Sequence, residues 1–171
     1  MKKQLFVLLF ATLAVASFVV VSCSKQSNNT TLKVNLTDAP LDAEEVNIDL
    51  LAVRVNFSND SSGWTDLSAV PGIYNLLGLQ NGLDTLIAQG TVPAGRLQEI
   101  RLILGNNNSI KVNGQVYPLT IPSGSESGLK IKVNRSLSAP IDSLLIDFDA
   151  ALSVHQEGTT DYKLRPVLQI K

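Results

Sequence analysis

The chain has 171 residues with 14 lysines and arginines against 15 aspartates and glutamates, a formal net charge of −1, one cysteine and one histidine. It lacks the basic excess that phosphate neutralisation needs, which argues against nucleic acid as a partner. One cysteine permits no internal disulfide, a single Cys with a single His cannot build a zinc site, and any Ser-His-Asp or Cys-His catalyst would have to use His155.

Met1-Lys2-Lys3-Gln4 leads into 17 uncharged, mostly apolar residues, Leu5 to Val21. Two lysines ahead of an apolar run are the n-region and h-region of an export signal. The run is at the short limit for crossing a bilayer, so a transmembrane anchor is the competing reading. Val20-Val21-Ser22-Cys23 decides for export. It resembles the lipobox of bacterial lipoproteins, where diacylglycerol joins the Cys thiol and the signal is cut between Ser22 and Cys23. The expected segments are a signal peptide over 1–22, the lipidated Cys23 with a polar tether over 23–31, and one domain over 32–171.

Cleavage removes Lys2 and Lys3, which leaves 12 basic side chains and a net charge of −3. The covalent lipid on Cys23 therefore holds the protein to the membrane, since each buried methylene of an acyl chain such as palmitate contributes roughly 0.8 kcal/mol. An Asp directly after the Cys resembles the inner-membrane retention signal, so Ser24 implies the outer membrane. Ser24 to Thr31 holds no acid. Surface-directed lipoproteins of some bacterial groups carry an acidic patch there, so a periplasmic or surface-facing domain stays open.

The remaining pattern has period two nearly throughout, which predicts strands. Leu32, Val34 and Leu36 alternate with Lys33 and Asn35, and Asp38-Ala39-Pro40 stops the strand. Val46, Ile48 and Leu50 share one phase, and Val53, Val55 and Phe57 the other. A slip inside one strand is what a β-bulge does, and it falls near Leu50 to Ala52. Asn59 to Gly63 reads as a turn and Trp64 to Leu67 as a short strand. Tyr74 to Leu79 and Leu83 to Ala88 fit either short strands or a helical turn. Pro93-Ala94-Gly95 suits a type I turn, and Gln98 to Leu104 follows as a strand.

Asn113-Gly114 predicts a type I′ hairpin that pairs Val112 with Gln115 and Ile110 with Tyr117. Pro122 to Gly128 is a loop. Leu129, Ile131 and Val133 mark one strand, and Leu144, Ile146 and Phe148 another. The last strand, Tyr162 to Ile170, contains Pro166, which cannot donate to a ladder and so predicts an edge or a bulge. About eight strands with one polar face each, and no long amphipathic helix, predict an all-β, two-layer antiparallel sandwich.

Seven local strings carry a likeness. They are Leu36-Thr37-Asp38-Ala39-Pro40, Gly63-Trp64, Leu76 to Leu79, Val92-Pro93-Ala94-Gly95, Asp147-Phe148-Asp149-Ala150, Ser153-Val154 and Leu164-Arg165-Pro166-Val167. In this order they resemble the bacterial lipoprotein domain of unknown function family 4382 (DUF4382-like), over about Leu32 to Ile170. The resemblance implies a secreted or lipid-anchored sandwich of transthyretin-like or immunoglobulin-like type. It implies no activity and no catalytic residues.

Asp147 and Asp149 stand at i and i+2, on one face of a strand. With Asp38 or Asp142 nearby they would offer oxygen ligands to Ca²⁺. The competing reading makes them polar positions on a half-exposed strand and Asp38 a turn residue before Pro40. No loop of known calcium-binding spacing occurs. Their closeness also fits the roughly 5 Å carboxylate spacing of a retaining glycosidase. His155 lies at a strand end with no nucleophile motif beside it. Trp64 and Tyr74 flank loops and are the candidate aromatic platforms for a glycan, against a plain core role. Lys130, Lys132 and Arg135 read as a solvated strand face. Asp84-Thr85-Leu86 and Asp142-Ser143-Leu144 resemble a short O-glycosylation acceptor pattern of some envelope bacteria.

The expected function is a non-catalytic binding or interaction module of the outer membrane, anchored through lipid and engaging a protein or glycan partner. The alternatives are a glycan-binding module, a fimbria-like assembly subunit and, further off, a glycoside hydrolase.

Overall fold

The computed structural model describes residues 28–39, 41–58, 63–122, 128–138 and 140–171. The expected signal segment, the expected cleavage pair Ser22–Cys23, most of the expected tether and Pro40 lie outside these residues. The strands are β1 (Asn29–Thr37), β2 (Glu45–Asn56), β3 (Trp64–Asp66), β4 (Ser68–Ala69) and β5 (Gly72–Asn75). A 3₁₀ turn (Leu76–Leu79) precedes β6 (Thr85–Pro93), β7 (Gly95–Leu104), β8 (Ser109–Val112), β9 (Gln115–Thr120), β10 (Leu129–Leu137) and β11 (Ile141–Phe148). A four-residue helix α1 (Ala150–Ser153) leads into β12 (Val154–Glu157), β13 (Asp161–Leu164) and β14 (Leu168–Ile170).

Two sheets form an all-β sandwich. The first runs β14-β11-β1-β6-β4, and the second β10-β7-β2-β8-β9-β13-β12, with β3 and β5 also paired to β2. The alternation read from the sequence sets their inner faces. Leu32, Val34 and Leu36 of β1 and Leu144, Ile146 and Phe148 of β11 are fully buried. They belong to one core with Val46, Ile48, Leu50, Val53 and Val55 of β2 and Ile100 and Leu102 of β7. Each such side chain contributes roughly 1.5–3 kcal/mol over an exposed position.

The bulge sits where the phase slips. The pairing of β2 with β7 shifts between Leu50 and Ala52, and the extra residue, Leu51, turns to solvent at 49% exposure. The hairpin also forms as read: Asn113 and Gly114 have φ of 51° and 75°, and Val112 opposes Gln115 while Ile110 opposes Tyr117.

Four features differ from the sequence reading. The sheets are mixed: β1 runs parallel to β11, and β13 parallel to β9. Neither pair is sequential, and alternation carries no sign of strand direction. The corner Pro93-Ala94-Gly95 carries the chain from the first sheet to the second. The predicted last strand is cut at Pro166 into β13 and β14, which lie in different sheets. Finally, β1 begins at Asn29, so residues 29–31 of the expected tether pair with Pro93, Val92 and Thr91. Asn-Thr-Thr joins by backbone hydrogen bonds, to which a hydrophobic pattern is blind.

At the hairpin, Gly114→Ala places a Cβ at positive φ, which costs about 1–2 kcal/mol. A urea unfolding curve should show that loss, and an unchanged midpoint would contradict the turn geometry.

Candidate functional site

The far end of β1 is where most of the singled-out strings meet. Parallel pairing sets Thr37 opposite Asp147. The Thr37 hydroxyl lies 2.9 Å from Leu79 O and 2.7 Å from Leu83 O, and Asp38 N–H donates to Leu79 O at 3.2 Å. Asp38 Oδ1 accepts from Ala150 N–H at 2.9 Å, a buried bond between residues 112 apart in sequence. Asp38 Oδ2 takes a longer bond from Gln80 Nε2 at 3.4 Å.

Beyond β11 the chain turns, and Asp149 becomes the N-cap of α1, with Oδ1 accepting from Leu152 N–H at 2.9 Å. Asp149 N–H donates to Val167 O. The fully buried Ser153 holds the crossover on both sides of Pro166. Its carbonyl accepts from Arg165 N–H at 2.8 Å, and its Oγ accepts from Val167 N–H at 2.8 Å. Proline has no N–H, so the residues flanking it supply the donors.

The three candidate aspartates therefore do not converge. Asp149 lies past the strand end, where alternation no longer applies, and its carboxylate caps a helix. Asp142 opposes Leu32, at the other end of β11, and pairs with Arg135 at 2.7 Å. Asp38 and Asp147 are brought together, both buried. Burial is the main cause that pushes the Asp38 carboxyl above its ordinary range, and the nearby Asp147 charge adds to it; hydrogen bonds from Ala150, Gln80 and Ala39 oppose the rise. Asp147 Oδ2 meets Lys171 Nζ at 2.8 Å, and its buried Oδ1 has no hydrogen-bond partner among the described residues. No group of three or more His, Cys, Asp or Glu that could hold a metal ion occurs among the described residues. His155 is exposed on β12, opposite Lys163 of β13.

Both candidate aromatics already have structural contacts. The Arg101 guanidinium lies 4.0 Å over the Trp64 ring, a cation–π contact that covers one ring face. The Tyr74 hydroxyl donates to Val70 O at 2.6 Å, and burial pushes its pKa up.

A further arrangement escaped the sequence reading, in which Asn106-Asn107-Asn108 was only a loop. Asp49 of β2 is its centre. Asp49 Oδ2 accepts from both N–H and Nδ2 of Asn107 at 3.1 Å. Asp49 N–H donates to Asn108 Oδ1 at 2.9 Å, and Asn108 Nδ2 donates to Gly105 O at 2.8 Å. Gly105 packs so closely that a Cβ would overlap Asp49 Oδ2. Beside this clamped loop lies a cleft of about 360 Å³ lined by Gly105, Asn106, Asn108, Pro118, Leu119, Thr120 and Ile121. Its lining combines amides and a hydroxyl with apolar surface and bears no charge. The signal in the sequence was the Gly-Asn-Asn-Asn run, since amide side chains can replace backbone partners. Nothing local linked it to Asp49.

A family model described as a domain of unknown function (DUF4382) matches residues 29–166, from the first residue of β1 to Pro166. No curated protein and no solved structure matches the chain.

Two substitutions separate the roles of Asp38. Asp38→Ala leaves Ala150 N–H buried without an acceptor and should cost about 1–3 kcal/mol. Asp38→Asn keeps an acceptor oxygen and removes the buried charge, so it should raise the urea midpoint at neutral pH. An acid whose pKa is raised on folding binds its proton more tightly when folded. The Asp38 contribution to stability therefore falls as pH rises from the ordinary 3.8 through the raised folded value. The difference between Asp38→Asn and wild type should widen across that range, and a constant difference would contradict the assignment.

Proposed function

We propose that this chain, which belongs to the DUF4382 family, is a lipid-anchored envelope protein whose sandwich is a non-catalytic binding module, with its ligand in the cleft beside Asn106 and Asn108. The observation that carries this reading is the Asp49 clamp, which holds the loop at the cleft in one conformation before any ligand arrives. Preorganisation of this kind lowers the ordering cost of binding. Uncharged amides beside Pro118 and Ile121 suit a neutral, hydroxyl-rich ligand, and a glycan segment is the class we favour. The anchor rests on Ser22-Cys23 behind an apolar run and two lysines, and Ser24 points to the outer membrane.

The uses found for the candidate acids support the non-catalytic part. Asp149 caps a helix, Asp38 holds Ala150, and Asp147 pairs with Lys171. A retaining glycosidase needs two carboxylates flanking an open bond, whereas the pair that does come together here is buried. A fimbria-like subunit that exchanges its first strand fits less well, because β1 lies between β11 and β6 and pairs along its length with both.

Two measurements test this. Cys23→Ala should abolish incorporation of radiolabelled palmitate into the protein, and labelling that persists would contradict the anchor. Calorimetric titration of the full chain against a panel of neutral envelope polysaccharide fragments should find a binder. The exposed Asn106 makes no contact with Asp49 among the hydrogen bonds described, so Asn106→Ala should weaken that binder about tenfold, the worth of one good hydrogen bond. No binder in the panel, or equal binding by Asn106→Ala, would sink the glycan cleft.

A further inference from the structure

Strand register fixes which end of the sandwich faces the tether. Asn29 opposes Pro93, Thr31 opposes Ile141, and Gly95 opposes Leu137. Ala94 N–H donates to Asn28 O at 2.6 Å, and Thr31 N–H to Pro140 O at 2.9 Å. The corner at 93–95 and the start of β11 therefore lie against the first described residues. Pro93, Ala94, Arg96, Pro140 and Ile141 are all exposed there, with Ile141 at 59%. This is an apolar rim with a cation beside it.

The charge at the other end is of opposite sign. Asp38, Asp84, Asp147 and Asp149 gather where β1, β6 and β11 have their far ends, with Lys171 beside them. The span of β1 separates the two ends by about 30 Å.

We propose that the end formed by Pro93, Ala94, Arg96, Pro140 and Ile141 is a membrane-docking surface for an anionic phospholipid bilayer. The proposal rests on lipidation of Cys23. Four residues, Ser24 to Ser27, stand between Cys23 and Asn28, and the five steps along the chain reach at most about 18 Å. A domain held that close meets the bilayer with this end first. Ile141 and the Pro93-Ala94 corner contact the boundary of the headgroups and acyl chains, and Arg96 faces lipid phosphate. Turned end for end, the domain would bring Asp84 and Asp149 against the same anionic surface, so charge and tether favour one orientation.

The test uses the full lipidated chain in vesicles of phosphatidylethanolamine with a quarter phosphatidylglycerol. The natural cysteine, Cys23, carries the lipid, so an introduced cysteine alone takes a thiol-reactive environment-sensitive fluorophore. The expected result is a blue shift and quenching by acyl-chain nitroxides for Ile141→Cys and Ala94→Cys, and neither for Leu152→Cys on α1. Arg96→Glu should lower the membrane-contacting fraction of the Ile141 label about fivefold per unit of charge. Equal response at positions 141 and 152 would overturn docking while the protein still floats with vesicles. Unchanged quenching in Arg96→Glu would overturn the anionic-headgroup assignment. A wild-type chain that fails to float overturns the anchor, and the docking surface with it.

Discussion

One buried hydrogen bond, from Ala150 N–H to Asp38 Oδ1, closes the first sheet. It joins the exit of β1 to the exit of β11. Those strands are parallel and far apart in sequence, so no turn can set their register. Ala150 opens α1, and α1 delivers Ser153 to the crossover between β13 and β14. Asp38 thus stands at the head of a chain of contacts that places the last strand on the edge of the first sheet. The family-like strings at 36–39, 147–150, 153–154 and 164–167 interlock here. Their meeting explains why those residue types stand together, and it requires no catalysis.

This interlock carries an electrostatic tension. A carboxylate that accepts backbone N–H bonds is a strong cap, but Asp38 is buried beside Asp147. Lys171 relieves one oxygen of Asp147 and leaves the other unpartnered among the described residues. A buried polar cluster that is only partly satisfied is costly where the local dielectric is low. Lys171 also donates its backbone N–H to Leu145 O. Lys171 therefore both extends the pairing of β14 and compensates the acid pair.

What the sequence made legible was local. Alternation placed Leu32, Val34 and Leu36 and their counterparts on inner faces. A phase slip marked the bulge at Leu50 to Ala52, and Asn113-Gly114 marked a hairpin. Properties set by distant partners were not legible. The parallel direction of β1 and β11, the sheet change at Pro93 to Gly95, and the pairing of residues 29–31 all depend on strands far away in sequence. The candidate site divides the same way. An i, i+2 rule put Asp147 and Asp149 on one face, but the strand ends between them. Trp64 stands out in the sequence beside its turn and Arg101 does not, because the two meet only across β2 in the second sheet. Asp49 looked like an ordinary polar position until the loop at 105–108 closed over it.

The corner at Pro93 to Gly95 links the two ends of the molecule. β6 arrives there against Asn29, and β7 leaves in the opposite direction within the other sheet. β7 is ten residues long, so it carries Gly105 and its clamped loop about 30 Å from the corner. The cleft and the aspartate interlock therefore lie at the end remote from Asn28 and Asn29. A cleft held near a bilayer would face headgroups and bound water; one carried to the opposite end faces the space beyond. Because β strands are stiff and β6 and β7 are joined at this corner, the distance is a property of the fold. For a chain anchored as proposed, that separation would leave the cleft clear of the membrane surface.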